Sequence, residues 1–438
     1  MALSKTPEMM EEIKKFIKGF RLSTHFQNIL HYFNIIATAE LRIAKKHFDE
    51  IPTYYGKYSD EDFLEFMLSE AEQRAVFIGE EENEDLTFGM SNTEEWHELI
   101  KCLSNHIIEK KITDLAKESY YLTHVKIPCK QFSGIGIKKA STEDGALFQT
   151  GRYFVEDNYM IIPEYQKING FVEYNYPIFT VKDGHPFSLS PNSISFFNTE
   201  LEKIHGDTLC LGGLFGYFPV ELSIRDDIGE ITVLEESDIH KAYFDKCLRK
   251  PIDKAIGKRK KCHWVYGDAF DFLCKINEVI DKKDNVDKNA FPYDTCFVGN
   301  YVKFSDFESM YPDYRKFFRR YPNVKVIYHS FMHFIYNSSA KEVGVCLMEY
   351  FLDKISAKER DDILSRNTKD IKQEVKSLKY DIMARQENYN KFQEGYHEFL
   401  MNKIKNEMDF KVPQDIKNFY TFETFEKLYN EYVDTLRD

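Results

Sequence analysis

An α/β fold with a parallel sheet is predicted for residues 207–330 of this 438-residue chain. Three observations predict it. Short apolar runs alternate with longer amphipathic stretches, the pattern of strands joined by crossover helices. A glycine-rich turn, LGGLFG, follows the first run. The second and third runs end at acidic residues. Strands are expected over 208–211, 231–234, 263–266, 295–298 and 324–328, with helices in the gaps.

The flanks read differently. Residues 1–124 are expected to be helical. The stretch 9–48 is Pro-free and apolar at helical spacing, as at Ile13, Phe16, Ile17 and Phe20. Ser91 and Glu94 form a capping box ahead of Trp96, Leu99, Ile100 and Leu103, and the acidic run 80–84 reads as a loop. Residues 125–195 carry short β-type runs at 152–155, 159–162, 170–174 and 178–181. The turn signals Ile168-Asn169-Gly170 and Lys182-Asp183-Gly184 separate them, which implies a small antiparallel sheet. Ser190-Pro191-Asn192-Ser193 then opens a helix running to about Ile204, with Pro191 in its first turn. From about residue 341 the chain is helical again. Ile371, Val375, Leu378, Ile382, Tyr389, Phe392, Tyr396 and Phe399 follow steps of three and four, and Arg385 takes the one missing place. That series reads as an amphipathic helix packed on its own chain; a homodimer seam is the sharper alternative. Four segments result: helical 1–124, a β-rich lead-in 125–200, the parallel-sheet domain 201–340 and helical 341–438.

Composition bounds the function. With 43% hydrophobic and 30% charged residues the chain is globular, and 15% aromatics imply well-filled cores. A net charge of -13 repels phosphate backbones and disfavours nucleic acid as a partner. The basic run Lys258, Arg259, Lys260, Lys261 reads as solvated charge in a loop. The N-terminus lacks the apolar core of a signal peptide, and no segment reaches the ~18 apolar residues of a membrane span, so a cytoplasmic protein without a membrane anchor is expected. Eight cysteines are scattered with no C-x-x-C pair. Cys210 and Cys296 lie inside apolar runs and read as reduced core residues, and no metal-ligand set is expected. His329 and His333 have the spacing of two ligands on one helix face, but Ser330 stands where a metalloprotease needs Glu. Gly134-Ile135-Gly136 lacks the third glycine of a dinucleotide fingerprint.

Chemistry concentrates in four runs. In LCLGGLFGYFPVEL, residues 209–222, a buried strand enters a glycine-rich turn and then a helix. Gly212, Gly213 and Gly216 allow tight backbone angles and close approach to a ligand, and the helix start offers N–H groups. In ITVLEESD, residues 231–238, the strand ends at Glu235, 19 residues beyond Gly216. An acid there can accept from both hydroxyls of a ribose; Glu236 is its competitor. In VYGDAFDFL, residues 265–273, Asp268 and its neighbour Ala269 stand where an adenine amino group can be held. YDTCFVGN, residues 293–300, opens onto a small polar end. Singly, each run has a bland explanation: a turn, a solvated acid, a helix cap. Together they set their loops along one edge of the sheet, where open α/β sheets bind ligands.

These runs resemble the class I S-adenosylmethionine-dependent methyltransferase superfamily, nearest its spermidine-synthase-like branch. GGLFGYF, the strand ending VLEES, VYGDAFDFL and YDTCFVGN carry the resemblance. The lead-in PFSLSPNSISFFNTELEKIHGDTLCLGG resembles bacterial members, in which a helix precedes the first strand. The resemblance covers roughly residues 186–335. It implies a Rossmann-like fold with S-adenosylmethionine as cofactor. It implies Gly212, Gly213 and Gly216 in the cofactor loop, Glu235 at the ribose hydroxyls, and Asp268 with Ala269 at the adenine. Two positions depart from the pattern. Leu214 replaces a frequent third glycine, and a side chain there can crowd the methionine part of the cofactor. Gly299 stands where aminopropyltransferases keep an Asp that helps activate the amine. A small-molecule or peptide methyl acceptor is expected near Asn300, Tyr301 and His329, with Asn300 orienting it and His329 as base. Two alternatives stand beside this: a non-catalytic binding or assembly protein, favoured by Leu214 and Gly299, and aminopropyl transfer, which Gly299 disfavours.

Overall fold

The computed structural model describes residues 3–20, 22–23, 101–102, 105–111, 119–127, 132, 135–142, 147–169, 174–181, 187–235, 238–283, 287–299, 304–358 and 391–436. The Ser91 capping box, its helix apart from Lys101 and Cys102, which are helical, the acidic run 80–84 and the apolar series from Ile371 to Tyr389 lie outside the described residues. In chain order the elements begin with a helix over 7–20 (α1). Then come β1 (Ile107–Lys111), α2 (Tyr120–His124), β2 (Ile135–Thr142), β3 (Leu147–Val155), β4 (Ile161–Asn169), β5 (Tyr174–Val181) and β6 (Phe187–Ser188). Next are α3 (Pro191–Leu201), β7 (Gly206–Leu211), α4 (Tyr217–Ser223), β8 (Ile228–Glu235), α5 (Asp238–Tyr243), α6 (Arg249–Ile256) and β9 (Cys262–Tyr266). They are followed by α7 (Ala269–Lys282), β10 (Thr295–Val298), α8 (Phe304–Phe318), β11 (Lys325–Tyr328) and α9 (Phe331–Ile335). The last are α10 (Lys341–Lys354), α11 (Lys391–Glu407), α12 (Pro413–Phe419) and α13 (Phe422–Thr435).

The chain divides into two compact units. One comprises Ile108–Arg152 and Tyr165–Phe331; the other comprises Met1–Ile107, Tyr153–Glu164 and Met332–Asp438. The first is mixed α/β around a five-stranded sheet of order β11-β10-β7-β8-β9. Every neighbouring pair in that sheet is parallel. All five expected strands are present, each within a few residues of its expected bounds.

Strand residues alternate between faces, and here both faces are dry. Cys210, Ile231, Val233, Phe297 and Ile327 join a core with Ile194 and Phe197 of α3, Phe218 and Val220 of α4 and Ile252 of α6. Leu209, Leu211, Leu234, Cys296 and Val298 join a second core with Leu273 of α7 and Tyr314, Phe317 and Phe318 of α8. Burial on both sides explains why these strands are continuous apolar runs rather than alternating ones.

Three expectations are corrected. IIEKK, within the stretch expected to be helical, forms β1; its paired isoleucines suit a pleated strand. The single small sheet expected over 125–195 is two: β2-β5-β6, with antiparallel pairs, and β1-β4-β3. Helix α3 stops at Leu201, where the chain tightens and the N–H groups of Lys203 and Ile204 turn back to Glu200 and Leu201.

In the second unit the apolar stripe of α1 is buried as its spacing requires. Ile13, Phe16, Ile17 and Phe20 are all buried, and Phe16 meets the rings of Tyr159, Phe351 and Tyr420 edge-on. The described end of the C-terminal apolar series is also covered within its own chain. Tyr396 of α11 packs on Tyr429 and Tyr432 of α13 and shares a hydrogen bond with Ser339. Among the described residues no helix is long and apolar enough to cross a membrane.

Candidate functional site

The turn from β7 into α4 is the most constrained backbone in the first unit. Gly212 (φ 87°), Leu214 (48°), Phe215 (55°) and Gly216 (84°) all lie in the left-handed region. For Leu214 and Phe215 this costs about 1–2 kcal/mol each, because Cβ crowds the following carbonyl. Identifiable contacts hold the turn. The Gly212 N–H donates to Leu234 O at 2.8 Å, and the Gly216 N–H to Gly213 O at 2.9 Å. The Gly213 N–H donates to Glu235 Oε1 at 2.9 Å. A side chain is excluded at Gly213: its Cβ would lie 2.6 Å from Val233 Cγ1 and 2.9 Å from Glu235 Oε1. Leu214 is half-buried against the core beneath the sheet.

Two distant elements brace the same turn. The Phe215 ring stacks on Phe179 of β5 with centroids 4.2 Å apart. The Tyr121 hydroxyl donates to Phe215 O at 2.9 Å. Tyr121 is set in turn by Glu221 of α4, which accepts from Ser119 Oγ and from the N–H groups of Tyr120 and Tyr121. Burial pushes the Glu221 carboxyl up from its ordinary value, and those three hydrogen bonds oppose the shift.

Glu235 ends β8 and is only 8% exposed. Its main-chain oxygen accepts the Gly267 N–H at 3.1 Å, tying the ends of β8 and β9 together. Gly267 has φ 145°, a conformation left to glycine, and a Cβ there would meet nothing within 4 Å. Open space therefore lies where a side chain at Gly267 would project. Asp268 is the N-cap of α7, with Oδ1 accepting the Asp271 N–H at 2.7 Å. Ala269 is fully buried in the second core, main chain and methyl alike. Tyr266, beside Glu235 in the sheet register, donates to Asp245 Oδ1 at 2.8 Å. Burial and that carboxylate push its hydroxyl up to about 12.

The other half of the edge holds the expected acceptor residues. Asn300 and Tyr301 lie outside the described residues. Gly299 follows β10, with its N–H on Leu211 O at 2.8 Å. A Cβ there would lie 2.5 Å from the Phe297 ring, which is buried and stacked on Phe218. His329 follows β11. Its Nδ1 lies 2.9 Å from Glu200 Oε2, and the Ser330 N–H donates to Glu200 Oε1 at 2.5 Å. Glu200 is 6% exposed, on the buried side of α3. The His329 ring packs near Phe197 and Phe297.

The structure thus brings Gly212, Gly213, Gly216, Glu235, Asp268, Ala269 and His329 to the carboxyl ends of five adjacent parallel strands. Neighbouring strands are about 4.8 Å apart, so His329 lies roughly 10 Å along the edge from the glycine turn. Sequence reasoning missed Tyr121, Glu221 and Glu200. Only Glu200 left a local trace: an acid three residues after Phe197, beside Leu201, on an otherwise apolar helix stripe.

Other sequence features find structural partners. Arg259 donates to Ala255 O and lies over the Tyr120 ring, Lys260 donates to Ile228 O, and Lys261 pairs with Glu230. His333 is hydrogen-bonded with Tyr153 and Asn337, and burial, with the nearby Lys341 charge, pulls it down to about 4. Cys210 and Cys296 are buried free thiols as expected, whereas Cys274 is exposed.

Comparison with known proteins adds no name: no family model, no curated protein and no solved structure matches this chain.

Proposed function

We propose that the α/β unit is a Rossmann-like S-adenosylmethionine-binding fold and that the protein is a methyltransferase acting on a small molecule or peptide. One observation carries the reading. Beside the point where the strand order reverses, between β7 and β10, the glycine turn that follows β7 meets the strand-tip acid of β8 in the hydrogen bond from Gly213 to Glu235. Open α/β sheets bind nucleotide-like ligands at that switch point.

The residues fit an adenosine group. Glu235 supplies a carboxylate for ribose hydroxyls, beside the open space at Gly267. Asp268, next to Gly267 in the chain and exposed, caps the start of α7. The close approach at Gly213 keeps the loop backbone against the acid. When bound, the cofactor supplies an electrophilic methyl group on a sulfonium. The chain's own residues then bind, orient and move a proton. Glu200, accepting from Nδ1–H of His329, orients the ring and leaves Nε2, 3.4 Å from Ser330 Oγ, as the nitrogen that would take a proton. That is the arrangement of a general base held by a second carboxylate.

The alternatives lose support. Leu214, the departure that favoured a non-catalytic protein, packs on the core beneath the sheet. For aminopropyl transfer, the Phe297 ring crowds the position where the activating Asp would stand. Calorimetry of the full chain with S-adenosylmethionine and S-adenosylhomocysteine tests the proposal. Saturable one-to-one binding is expected, weakened at least tenfold, or about 1.4 kcal/mol, by Glu235→Ala. No binding, or equal binding by the variant, removes the reading; binding with no methyl transfer to any acceptor returns the binding-protein alternative.

A further inference from the structure

In the unit formed around α10 and α11, three side chains of three different ligand chemistries converge. Glu342 and Cys346 are one helical turn apart on α10, so they project from the same face. His397 of α11 faces both. Its Nδ1 lies 2.5 Å from Glu342 Oε1 and 3.5 Å from Cys346 Sγ. One ligand atom from each residue lies within 4.8 Å of the others. The opposite ring nitrogen, Nε2, faces Glu349 Oε2 at 3.7 Å. Glu349 lies near Cys346 and Glu342 on α10, one further turn along.

We propose that Glu342, Cys346 and His397 form a zinc site, with Glu349 orienting the histidine. The donor set fits the ion. Thiolate, imidazole and carboxylate are its ordinary ligands, and three protein ligands leave a fourth, tetrahedral position for water. Bond lengths of about 2.0–2.3 Å in a tetrahedron set N···S near 3.6 Å and N···O near 3.4 Å. The sulfur–nitrogen separation already meets this, and the Glu342–His397 pair opens as its shared proton gives way to the ion. Charge also balances: one thiolate and one carboxylate neutralise a dication, which suits the fully buried Cys346. On binding, the thiol proton and the proton shared between Glu342 and His397 Nδ1 both leave to solvent, and the now neutral imidazole keeps its remaining N–H on Nε2, toward Glu349. A carboxylate behind a ligating histidine is the usual way its tautomer and ring orientation are fixed. The proposal is independent of the methyltransferase reading, since none of these residues belongs to the strand-edge site.

The test uses the full chain stripped with a chelator. Zinc titration against a chromophoric competitor is expected to give one ion per chain. X-ray absorption of the zinc-loaded wild type is expected to show one sulfur with lighter oxygen or nitrogen ligands. Cobalt(II) is expected to give a thiolate charge-transfer band that Cys346→Ser abolishes. His397→Gln is expected to weaken zinc binding at least a hundredfold, and the half-exposed Glu349→Gln about tenfold. Absence of stoichiometric zinc, a shell with no sulfur or with two, or an unchanged cobalt band in Cys346→Ser would overturn it. The absorption shell is read on wild type, so a variant that fails to fold does not shelter the proposal.

Discussion

The two halves of the parallel sheet's carboxyl edge are built by different means. At β7, β8 and β9 the main chain makes the surface: left-handed turn residues, an N–H aimed at Glu235, and open space at Gly267. At β10 and β11 side chains make it: the Glu200–His329 pair among Phe197 and Phe297 rings, with Gly299 closed against Phe297. A backbone cradle with a few acceptors can hold a large, chemically regular ligand. A buried carboxylate–imidazole pair instead sets one atom for one proton. Under the proposed function the first would be the cofactor half and the second the acceptor half, and the variants that follow test that division.

The largest effect is expected from glycine substitutions, and it should differ between the halves. Gly216→Ala meets Ile252 Cδ1 at 2.2 Å and must also hold φ 84°. Overpacking plus left-handed strain gives a loss of about 3 kcal/mol. Gly299→Ala meets Phe297 at 2.5 Å but is outside the positive-φ set, so only the overpacking part, about 2 kcal/mol, applies. Urea unfolding of both variants checks this. An equal or larger loss at Gly299 would mean that backbone strain does not distinguish the cofactor half.

A contrast in affinity comes next. Glu200→Ala leaves the Ser330 N–H and His329 without their buried acceptor. A stability loss of about 2 kcal/mol is expected. Affinity for S-adenosylhomocysteine should stay within about twofold, because no Glu200 contact reaches the glycine turn. Glu235→Ala should lose affinity as well as stability, since it too leaves a buried donor, the Gly213 N–H, without its acceptor. Calorimetry and unfolding of both variants decide it: parallel loss of affinity in both would erase the division into halves.

How much of this was legible in the sequence follows from distance along the chain. The five parallel strands were readable because burial on both faces leaves uninterrupted apolar runs. Strand β4, IIPEYQKIN, hides itself with a proline and polar residues, so only its start was seen and the two small sheets merged into one. The cofactor half was readable because its glycines and acids sit at strand tips within one continuous pattern. The supports were not. Tyr121 reaches Phe215 across 94 residues, His329 reaches Glu200 across 129, and His397 reaches Cys346 across 51. No spacing rule spans such gaps; only the fold brings those groups together. Cys346 is a buried free thiol, as the reading of cysteines as core residues expects, but its neighbours Glu342 and His397 become visible only once α10 and α11 are packed.

The smallest effect tests whether the acceptor half depends on its helix as a scaffold or on Glu200 itself. Helix α3 carries both Glu200 and Phe197 to His329. Its start is capped by Ser190, whose Oγ accepts the Ser193 N–H at 3.2 Å, with Pro191 pre-set for the first turn. Ser190→Ala removes that acceptor from the orphan N–H and should cost about 1 kcal/mol in urea unfolding. Glu200 sits at the opposite end of the helix, where Ile194, Phe197 and Leu201 bury the same stripe. That packing, not the cap, holds the carboxylate in place. The His329 ring resonances should therefore keep their chemical shifts at fixed pH in Ser190→Ala, while Glu200→Gln moves them. If the cap variant also moves them, the helix transmits its frayed end to the pair. The acceptor half would then depend on the scaffold as a whole, as the glycine turn depends on Tyr121 and Phe179.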